Sequence, residues 1–341
     1  MQAYSCREVC LLNTNRIRLV SADTLHDDAP EAALLSAFSA AIHPSADDAD
    51  AETSRWARQF GLCDSEAAYE QMARGRIGRL AARAFPHANR DGLQLAADWN
   101  TLFFVLDDRI EQANLTVGRL ASYVSQLSAA FRSGRVAHDS ATLALVDLRQ
   151  RFVALDDEAG ARAFADVLDR MFSAFMWEHI NRSNDLHPSL PAYTKMRTLT
   201  IGLYPQLVLA RVTDGIRLSD ALLGHPTIVT LMTLTAKIIG LANDLFTFER
   251  EHAYGEVHNQ VVLLMHECGM SSQEARCAAV EQHNGYMRAF IAAERPLPDA
   301  GDEKFELMRF VGVLRSCIRG HLDWAYETGR YDLASRARYS L

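Results

Sequence analysis

The sequence contains few cysteines, no paired-cysteine motif and no surplus of basic side chains. None of its six cysteines forms a CxxC pair, so the chain offers no paired thiolates for zinc, and the pattern indicates reduced thiols with a structural role. The 35 Lys and Arg residues are outnumbered by 43 Asp and Glu, which gives a net charge of −8. This balance excludes general electrostatic binding to nucleic acid.

Long apolar segments are also missing. The opening stretch, MQAYSCREVCLLNTNRIRLV, holds no apolar segment of the length found in signal peptides. The most apolar stretch, residues 228–242, is interrupted by Lys237 and by several threonines. It is shorter than the roughly 20 residues that cross a bilayer as a helix. We therefore expect a cytoplasmic protein without stable membrane insertion.

No stretch alternates between apolar and polar residues for long enough to predict a strand, and no fixed-period repeat is present. Apolar residues recur instead at i, i+3, i+4 and i+7, and clusters of proline and glycine separate these segments. This pattern predicts a single all-α domain of roughly ten helices over residues 31–341, preceded by an irregular segment over residues 1–30. The most regular helical segments are 31–43, 65–85, 93–112, 161–183 and 271–295.

The stretch FFVLDDRIEQ, residues 103–112, places acidic side chains directly after an apolar run. Since each helical residue turns the chain by about 100°, Asp107 and Glu111 share one face, and Asp108 neighbours Glu111. Three carboxylates on one patch repel each other unless a cation lies among them, and hard oxygen ligands suit Mg²⁺. Acid pairs are common on helices, so this motif alone is more typical of a solvated helix end.

A second polar stripe follows the apolar run KIIGLA. Asn243, Thr247 and Glu251 are spaced i, i+4 and i+8, so an amide, a hydroxyl and a carboxylate share one helix face. Asp244 lies off this stripe and is expected to bond locally, so its replacement by Asn should be milder than the loss of Asn243 or Glu251. A solvated face is again the alternative. Two oxygen-donor clusters that each close an apolar helix nevertheless predict Mg²⁺ around a diphosphate, with an apolar cavity behind them.

Together, these motifs resemble those of class I terpene synthases, the terpene cyclases, in their microbial branch. The stretch DDRIE, residues 107–111, resembles the family's aspartate-rich motif, with Glu in place of the final Asp. The stretch NDLFTFERE, residues 243–251, resembles its second metal motif, the NSE triad, with Thr in place of Ser. Both changes keep an oxygen donor. The implied metal ligands are Asp107, Asp108, Glu111, Asn243, Thr247 and Glu251.

Further landmarks extend the resemblance over roughly residues 35–335. YTKMRTLTIG resembles the segment that carries the family's diphosphate-sensing arginine, here Arg197, and the helix break after it would fall at residues 200–202. GRYD resembles the family's Arg-Tyr pair, here Arg330 and Tyr331. Arg250 stands where the family often places a basic contact to the diphosphate.

The resemblance implies a class I terpenoid synthase bundle of helices around a central apolar cavity, with three Mg²⁺ ions at its mouth. It also implies ionisation of a prenyl diphosphate, cyclisation and release of diphosphate. Arg197, Arg330 and Tyr331 would act in catalysis and, with Arg250, bind the diphosphate. Because a dry cavity must stabilise carbocations, aromatic faces are expected in its wall. The expected pocket residues are Trp99, Phe103, Phe104, Phe175, Trp177, Ile201, Gly202 and Trp324.

The resemblance favours farnesyl diphosphate and a sesquiterpene product, with geranylgeranyl diphosphate and a diterpene as the alternative. A chain-elongating prenyltransferase shares the fold type, but those enzymes carry an aspartate-rich cluster on both helices, and the Asn, Thr and Glu stripe argues against that class. A non-enzymatic helical scaffold would leave both clusters without a role. Homodimers are frequent in the family, and the sequence does not distinguish a dimer from a monomer.

Overall fold

The computed structural model describes residues 30–112, 115–135 and 139–331. These residues form helices and loops with no β-strand among them, which confirms the all-α prediction. Residues 1–29, nearly all of the predicted irregular segment, lie outside the described part. The α-helices are α1 (Ala46–Phe60), α2 (Glu66–Arg74), α3 (Ile77–Ala84), α4 (Arg90–Gln112), α5 (Val117–Ser133), α6 (Ser140–Leu155), α7 (Glu158–Ser183), α8 (Leu190–Thr200), α9 (Leu203–Thr213), α10 (Asp220–Leu223), α11 (Pro226–Ala253), α12 (Gln260–Cys268), α13 (Ser272–Ala293) and α14 (Lys304–Ala325).

Six helices form a closed ring around the centre of the protein. Going round this ring, α4 packs against α3, α3 against α14, α14 against α11, α11 against α8, α8 against α7, and α7 again against α4. α4 and α11 therefore stand on opposite sides. α9 contacts α4, α7 and α14, and it meets the N-terminal half of α4, where Gly92 lies against the backbone of Val212. α9 thus closes the end of the ring opposite the C-terminus of α4.

α11 is the most apolar of the ring helices. It begins at Pro226, and the ring of the preceding His225 accepts a hydrogen bond from the Thr227 amide, which caps the helix. α11 is long and apolar enough to cross a membrane, but 61% of its apolar window is buried inside the bundle. The buried face packs against α13 and α14, as expected of a core helix.

The first predicted helical segment, residues 31–43, is largely irregular and contains only a short 3₁₀ turn at its start. Tertiary hydrogen bonds replace helical ones in this segment. The Leu35 amide donates to Asn284 Oδ1 at 2.7 Å, and the His43 amide donates to the Ala82 carbonyl at 3.0 Å. These bonds hold the segment against α13 and α3 in an irregular path that its helical period did not predict.

The predicted segment 65–85 is two helices, α2 and α3, because the chain turns sharply between them. Arg76 adopts the left-handed region with φ of 48°, which a non-glycine residue occupies only at a cost. Bonds from the far end of the chain hold this turn. Trp324 Nε1 donates to the carbonyls of Gly75 and Arg76 at 2.8 and 3.0 Å, and Thr328 Oγ1 donates to the Gly75 carbonyl at 2.8 Å.

α14 and α3 are in direct backbone contact next to this turn. Arg83 of α3 pairs with Asp323 at 3.2 Å and with Glu327 at 2.8 Å. One turn earlier on α14, a Cβ added at Gly320 would lie 2.8 Å from Arg83 Cβ and 2.9 Å from the Arg83 carbonyl. The absence of a side chain at Gly320 therefore permits the close packing of the two helices.

We expect Gly320→Ala to lower the free energy of unfolding by about 1–3 kcal/mol, because the added methyl group overpacks this contact. Gly312→Ala on the same helix is the matched control, since a Cβ there meets no atom within 4 Å. Reduced backbone freedom should make the control more stable, by up to about 1 kcal/mol. Urea denaturation followed by circular dichroism measures both values, and equal effects would contradict the close contact.

Candidate active site

The ring of helices encloses a cavity of about 1100 Å³, counting its open mouth. Apolar side chains share the lining with the charged side chains of both motifs and with the polar residues Asn100, Thr200, Gln206 and His321. The predicted central cavity is therefore present, with a lining that is partly apolar. Its apolar lining consists of Leu80, Ala84, Phe103, Phe104, Ile201, Gly202, Leu203, Ile239 and Cys317.

The C-terminal end of α4 brings two acids of the first motif to this mouth. Asp107 and Glu111 line the cavity, one turn apart on the same face of α4. Burial raises the pKa of Asp107 to about 7, and the negative charge of Asp108 adds to the rise. Burial likewise raises the pKa of Glu111 to about 8, with repulsion from Glu256 and Asp107. Both acids therefore need nearby positive charge to stay ionised.

Asp108 lies apart from the cavity lining, in contrast to its predicted place among the metal ligands. Its two carboxylate oxygens accept hydrogen bonds from Arg330 Nη1 and Nη2 at 2.9 and 2.7 Å. The same guanidinium lies over the ring of Phe104, 4.4 Å from its centroid. Asp108 is turned away from Asp107 by about 100° around the helix, and it holds Arg330 at the mouth instead of facing the cavity.

The second motif lies on α11, across the mouth from the first. Asn243, Thr247 and Glu251 all line the cavity, as their spacing predicts. Thr247 Oγ1 donates to the Asn243 carbonyl at 2.8 Å, and Glu251 accepts from Asn259 Nδ2 at 2.9 Å. Burial raises the pKa of Glu251 above its usual value. α4 and α11 thus present oxygen donors to one space from opposite sides.

Asp244 is the buried partner of Arg197. Its carboxylate accepts hydrogen bonds from Arg197 Nε at 3.0 Å, from the Tyr193 hydroxyl at 2.7 Å and from the Gln260 amide at 3.0 Å. Asp244 lies off the metal-motif stripe, as predicted, but its partners come from α8 and α12 instead of from adjacent residues. Arg197 Nη2 also donates to Asn243 Oδ1 at 2.6 Å. Arg197 is therefore fixed against two residues of the second motif.

The helix break predicted after Arg197 is confirmed. α8 ends at Thr200 and α9 begins at Leu203. Gly202 between them has φ of 75°, and a Cβ there would come within 2.8 Å of the Phe103 ring. Both the backbone conformation and the space therefore require glycine at this position.

The last described turn of the chain joins the mouth at the second motif. Asn243 Nδ2 donates to the Tyr331 hydroxyl at 2.8 Å, and Arg250 Nη1 donates to the Arg330 carbonyl at 2.9 Å. Burial raises the pKa of Tyr331 to about 12, so its hydroxyl remains protonated. Arg197, Arg250, Arg330 and Tyr331 all line the cavity. The structure thus brings together the four residues to which the sequence assigns diphosphate binding.

Four further polar residues of the mouth were not predicted. Arg182 of α7 donates to Glu256 at 2.9 Å and lies 3.4 Å from Glu178. Burial opposes ionisation of Glu256, but the hydrogen bond from His258 and the charge of Arg182 together lower its pKa to about 2. Two signals were present in the sequence, since Glu178 and Arg182 are an i, i+4 pair on a predicted helix, and GEVHNQ is a polar stretch soon after the second motif.

Several aromatic residues expected in the wall lie behind it. Trp324 is fully buried and stacks on Phe104 with ring centroids 5.6 Å apart. Trp99 is also buried, and its centroid lies 6.2 Å from that of Phe103. These large rings fill the space between helices and support the lining residues. The predicted pocket residues that do not line the cavity are Trp99, Phe175, Trp177 and Trp324.

The donors at the mouth suit a hard divalent cation that brings some ligands of its own. Among the described residues, no group of three or more His, Cys, Asp or Glu side chains could hold a metal ion alone. Carboxylate, amide and hydroxyl oxygens are mixed instead, and Mg²⁺ completes such sets with water and substrate phosphates. Glu111 and Glu251 also lie in the last turns of α4 and α11, where the helix dipole adds negative potential.

Comparison with known families agrees with this donor set. A family model described as "Terpene synthase family 2, C-terminal metal binding" matches residues 98–289, more than half of the chain. The chain belongs to this terpene synthase family. The matched range contains both oxygen-donor motifs and Arg197, and the metal-binding description supports a metal cofactor in this terpene synthase.

Individual terpene synthases are similar over most of their length. Germacrene A synthase of Nostoc punctiforme is 29% identical over 281 residues, which cover 81% of this chain and 87% of the relative. The (+)-T-muurolol synthase of Roseiflexus castenholzii is 30% identical over 308 residues, covering 88% and 93%. The crystal structure of α-eudesmol synthase has the same fold, with a TM-score of 0.77, 23% identity and coverage of 89% and 100%. This terpene synthase therefore has the class I terpenoid synthase fold.

We expect Asp244→Asn to be severe in this terpene synthase, which revises the milder effect expected from spacing alone. Removing one charge of a buried ion pair should lower the free energy of unfolding by about 3–5 kcal/mol, and product formation should fall because Arg197 loses its position. Urea denaturation and product assays measure the two effects.

The control for this variant is Glu249→Gln, also on α11. Glu249 pairs with Arg276 at 3.2 Å, but its side chain is 64% exposed, so the change should cost less than about 1 kcal/mol. Equally small losses of stability in both variants would show that the Asp244 pair does not organise the site.

Proposed function

We propose that this terpene synthase ionises farnesyl diphosphate in a Mg²⁺-dependent reaction and cyclises the carbocation to a sesquiterpene, with release of diphosphate. One observation carries the proposal: oxygen donors and arginines line the mouth of one cavity whose lining also includes aromatic and aliphatic side chains. A diphosphate matches both sets, because its oxygens bind Mg²⁺ and guanidinium groups alike. The prenyl chain attached to it then occupies the apolar interior.

The residues that would hold three Mg²⁺ ions are Asp107 and Glu111 on α4 with Asn243, Thr247 and Glu251 on α11. Bound Mg²⁺ would neutralise charge on the diphosphate and make it a better leaving group. The pKa values of Asp107 and Glu111 are raised to about 7 and about 8. A bound cation would lower both values and keep the two acids ionised. The two helices each contribute one side of this cation site.

The arginines of the mouth would bind the diphosphate and stabilise it as it leaves. Breaking the bond to the prenyl carbon adds negative charge to the diphosphate, and donors already in position stabilise that charge as it develops. Arg197 is held by Asp244 and Asn243, and Arg330 is held by Asp108. Their guanidinium forks are therefore oriented before substrate binds, which lowers the cost of reorganisation.

The interior would protect the carbocation and direct its ring closure. The ring of Phe103 offers cation–π attraction without a nucleophile, whereas the Phe104 ring is covered by Arg330 and stacks on Trp324. The closed end at α9 keeps the chain away from bulk water. Cys317 also lines the cavity, but burial raises the pKa of its thiol to about 12. Cys317 therefore stays a protonated, weakly nucleophilic thiol.

A C15 substrate is supported by the relatives. The name of the Roseiflexus castenholzii enzyme specifies cyclisation of (2E,6E)-farnesyl diphosphate, and that enzyme is similar to this chain over most of its length. A farnesyl chain has no polar group beyond its diphosphate, and the aliphatic and aromatic part of the cavity lining suits such a chain.

Product analysis tests the proposal. The purified protein is incubated with geranyl, farnesyl or geranylgeranyl diphosphate, with Mg²⁺ or with excess EDTA, and a solvent extract is examined by gas chromatography and mass spectrometry. We expect a cyclic sesquiterpene from farnesyl diphosphate with Mg²⁺ and no product with EDTA, while the helical circular dichroism signal persists.

Other results of the product analysis would indicate a different function. Full turnover in EDTA would overturn the metal requirement, and a product from geranylgeranyl diphosphate alone would make the enzyme a diterpene cyclase. A longer diphosphate that forms only when isopentenyl diphosphate is added would indicate a prenyltransferase. No product with any substrate would indicate a scaffold.

The two adjacent aspartates of the first motif should differ in their response to Mg²⁺. We expect Asp107→Asn to raise the Mg²⁺ concentration needed for half-maximal turnover by at least about tenfold, as loss of a ligand should. Asp108→Asn should leave that concentration near the wild-type value and raise KM, because Arg330 loses its bidentate partner. Mg²⁺ titration of steady-state turnover separates the two, and equal shifts would make Asp108 a metal ligand.

A further inference from the structure

A buried histidine of α14, His321, stands in the wall of the central cavity. It is 7% exposed and lines that cavity together with Ile239 of α11. Both residues also line a smaller cavity of about 240 Å³, counting its opening, which lies between α11, α13 and α14. His321 and Ile239 therefore form part of the partition between the two cavities. The metal and diphosphate site described above does not use His321.

His321 stands about one helical turn deeper than the metal motifs. Ile239 precedes Asn243 by four residues on α11, and Phe103 precedes Asp107 by four residues on α4, which places each roughly 6 Å further from the mouth at about 1.5 Å per residue. Because His321 lines the same two cavities as Ile239, it belongs to this deeper level. Under the proposed function, the prenyl chain and not the diphosphate lies at this level.

The imidazole ring of His321 is held in place and has an unused nitrogen. Its centroid lies 6.0 Å from that of Trp324, and Trp324 is itself fixed by its hydrogen bonds to the carbonyls of Gly75 and Arg76. Nδ1 of His321 is enclosed and has no hydrogen-bond partner among the described residues. Nε2 is thus the ring nitrogen that a ligand in the cavity can reach. With the hydrogen on Nδ1, Nε2 presents a lone pair.

His321 is also neutral, as a proton acceptor must be. Burial lowers the pKa of His321 to about 3, and the positive charge of Arg197 adds to the fall. The ring is therefore unprotonated near neutral pH. A carbocation is a far stronger acid than an imidazolium, so this low pKa does not prevent proton transfer. The same low pKa makes the imidazolium release its proton readily to solvent.

We propose that His321 is the base that ends the reaction, with Nε2 accepting a proton from the cyclised carbocation so that a sesquiterpene hydrocarbon forms. This inference rests on the proposed cyclisation. A C–H bond beside the cationic carbon breaks, and its electron pair forms a C=C bond. The proton joins the lone pair of Nε2, and solvent water takes it from the imidazolium after the product leaves. The balance is prenyl diphosphate giving hydrocarbon, diphosphate and one proton.

A fixed base selects which hydrogen the carbocation loses. Nε2 of His321 reaches hydrogens on the part of the chain that lies below the mouth, whereas the diphosphate, which is the other base in the cavity, reaches hydrogens beside the mouth. Ionisation precedes proton loss and does not involve His321. Removing the imidazole should therefore change which alkene forms, while diphosphate is still released.

Product analysis of a His321 variant tests the inference. His321→Leu keeps most of the side-chain volume and removes the base, so the share of the main wild-type hydrocarbon should fall roughly tenfold or more. Gas chromatography of the extract measures this share, and a coupled phosphate assay measures diphosphate release. The share among products is independent of total turnover.

Chemical rescue separates a base from a packing group. His321→Ala leaves a space of the size of an imidazole ring, so added imidazole should return the main hydrocarbon toward its wild-type share. Thiophene, a five-membered ring without a basic nitrogen, should fill the same space without this effect. His321→Leu should not respond to imidazole, because its side chain occupies the space.

His283→Ala is the matched control on α13. His283 is also buried, with a pKa lowered by burial, and it lines the smaller cavity but not the central one. Its product mixture should stay near that of the wild type, with or without imidazole. An equal change in this variant would show that buried histidines act here through packing.

The remaining results also decide the inference. An unchanged mixture in both His321 variants, or equal rescue by thiophene, would overturn the role of His321 and leave the cyclisation standing with diphosphate as the base. A sesquiterpene alcohol as the only wild-type product would overturn it too, because no carbon then loses a proton. No product from any prenyl diphosphate would instead overturn the proposed cyclisation.

A measurement on the wild-type enzyme keeps the inference testable if a variant does not fold. ¹⁵N NMR of the histidine-labelled protein with Mg²⁺ and a non-ionising farnesyl diphosphate analogue reports the protonation of each ring nitrogen, and loss of one signal in His321→Leu or His321→Gln assigns it. We expect a neutral His321 ring with its hydrogen on Nδ1. An imidazolium, or a hydrogen on Nε2, would contradict a proton acceptor at Nε2.

Discussion

The buried ion pair between Arg197 and Asp244 is the interaction on which the rest of the site depends. It joins α8 to α11, and Arg197 also bonds Asn243 of the second motif. Asp244 further binds the Tyr193 hydroxyl and the first amide of α12, so three helices converge on one carboxylate. A buried charge pair is stable only when its remaining hydrogen-bonding capacity is filled, and here several neighbours fill it. The mouth of the cavity therefore has a defined shape, with an arginine at its edge.

α4 shows how a single helix face can divide a cavity into zones. Asn100, Phe103, Phe104, Asp107 and Glu111 recur at helical spacing and all line the cavity. Toward the C-terminus this face changes from an amide through aromatic rings to carboxylates. Under the proposed function, the acids act at the leaving group and the Phe103 ring faces the carbocation. The order of these side chains along the axis of α4 therefore matches the order of the diphosphate and the prenyl chain in the proposed substrate.

The helical period of the sequence correctly predicted those helices that are determined by residues within the segment itself. The segments 93–112, 161–183 and 271–295 correspond to α4, α7 and α13, because their apolar stripes and breakers lie within the segments themselves. Residues 31–43 have the same period, yet side chains and carbonyls of α13 and α3 take their backbone hydrogen bonds. The turn inside 65–85 is stabilised by Trp324, which lies 249 residues from Gly75 in the chain. No local pattern could reveal either effect.

The sequence by itself determined which oxygen donors share a helix face, because rotation per residue is a local property of the backbone. It also determined the family, since the order and spacing of several motifs along one chain are specific. Tertiary structure decided that Asp107 faces the cavity and Asp108 does not. Asp108 is instead bound by Arg330, which lies 222 residues away in the chain. It also decided which aromatic rings line the wall and which support it. His321 of α14 and Ile239 of α11 likewise line one cavity only because these two helices pack together, and packing between distant helices is not encoded in the spacing of either one.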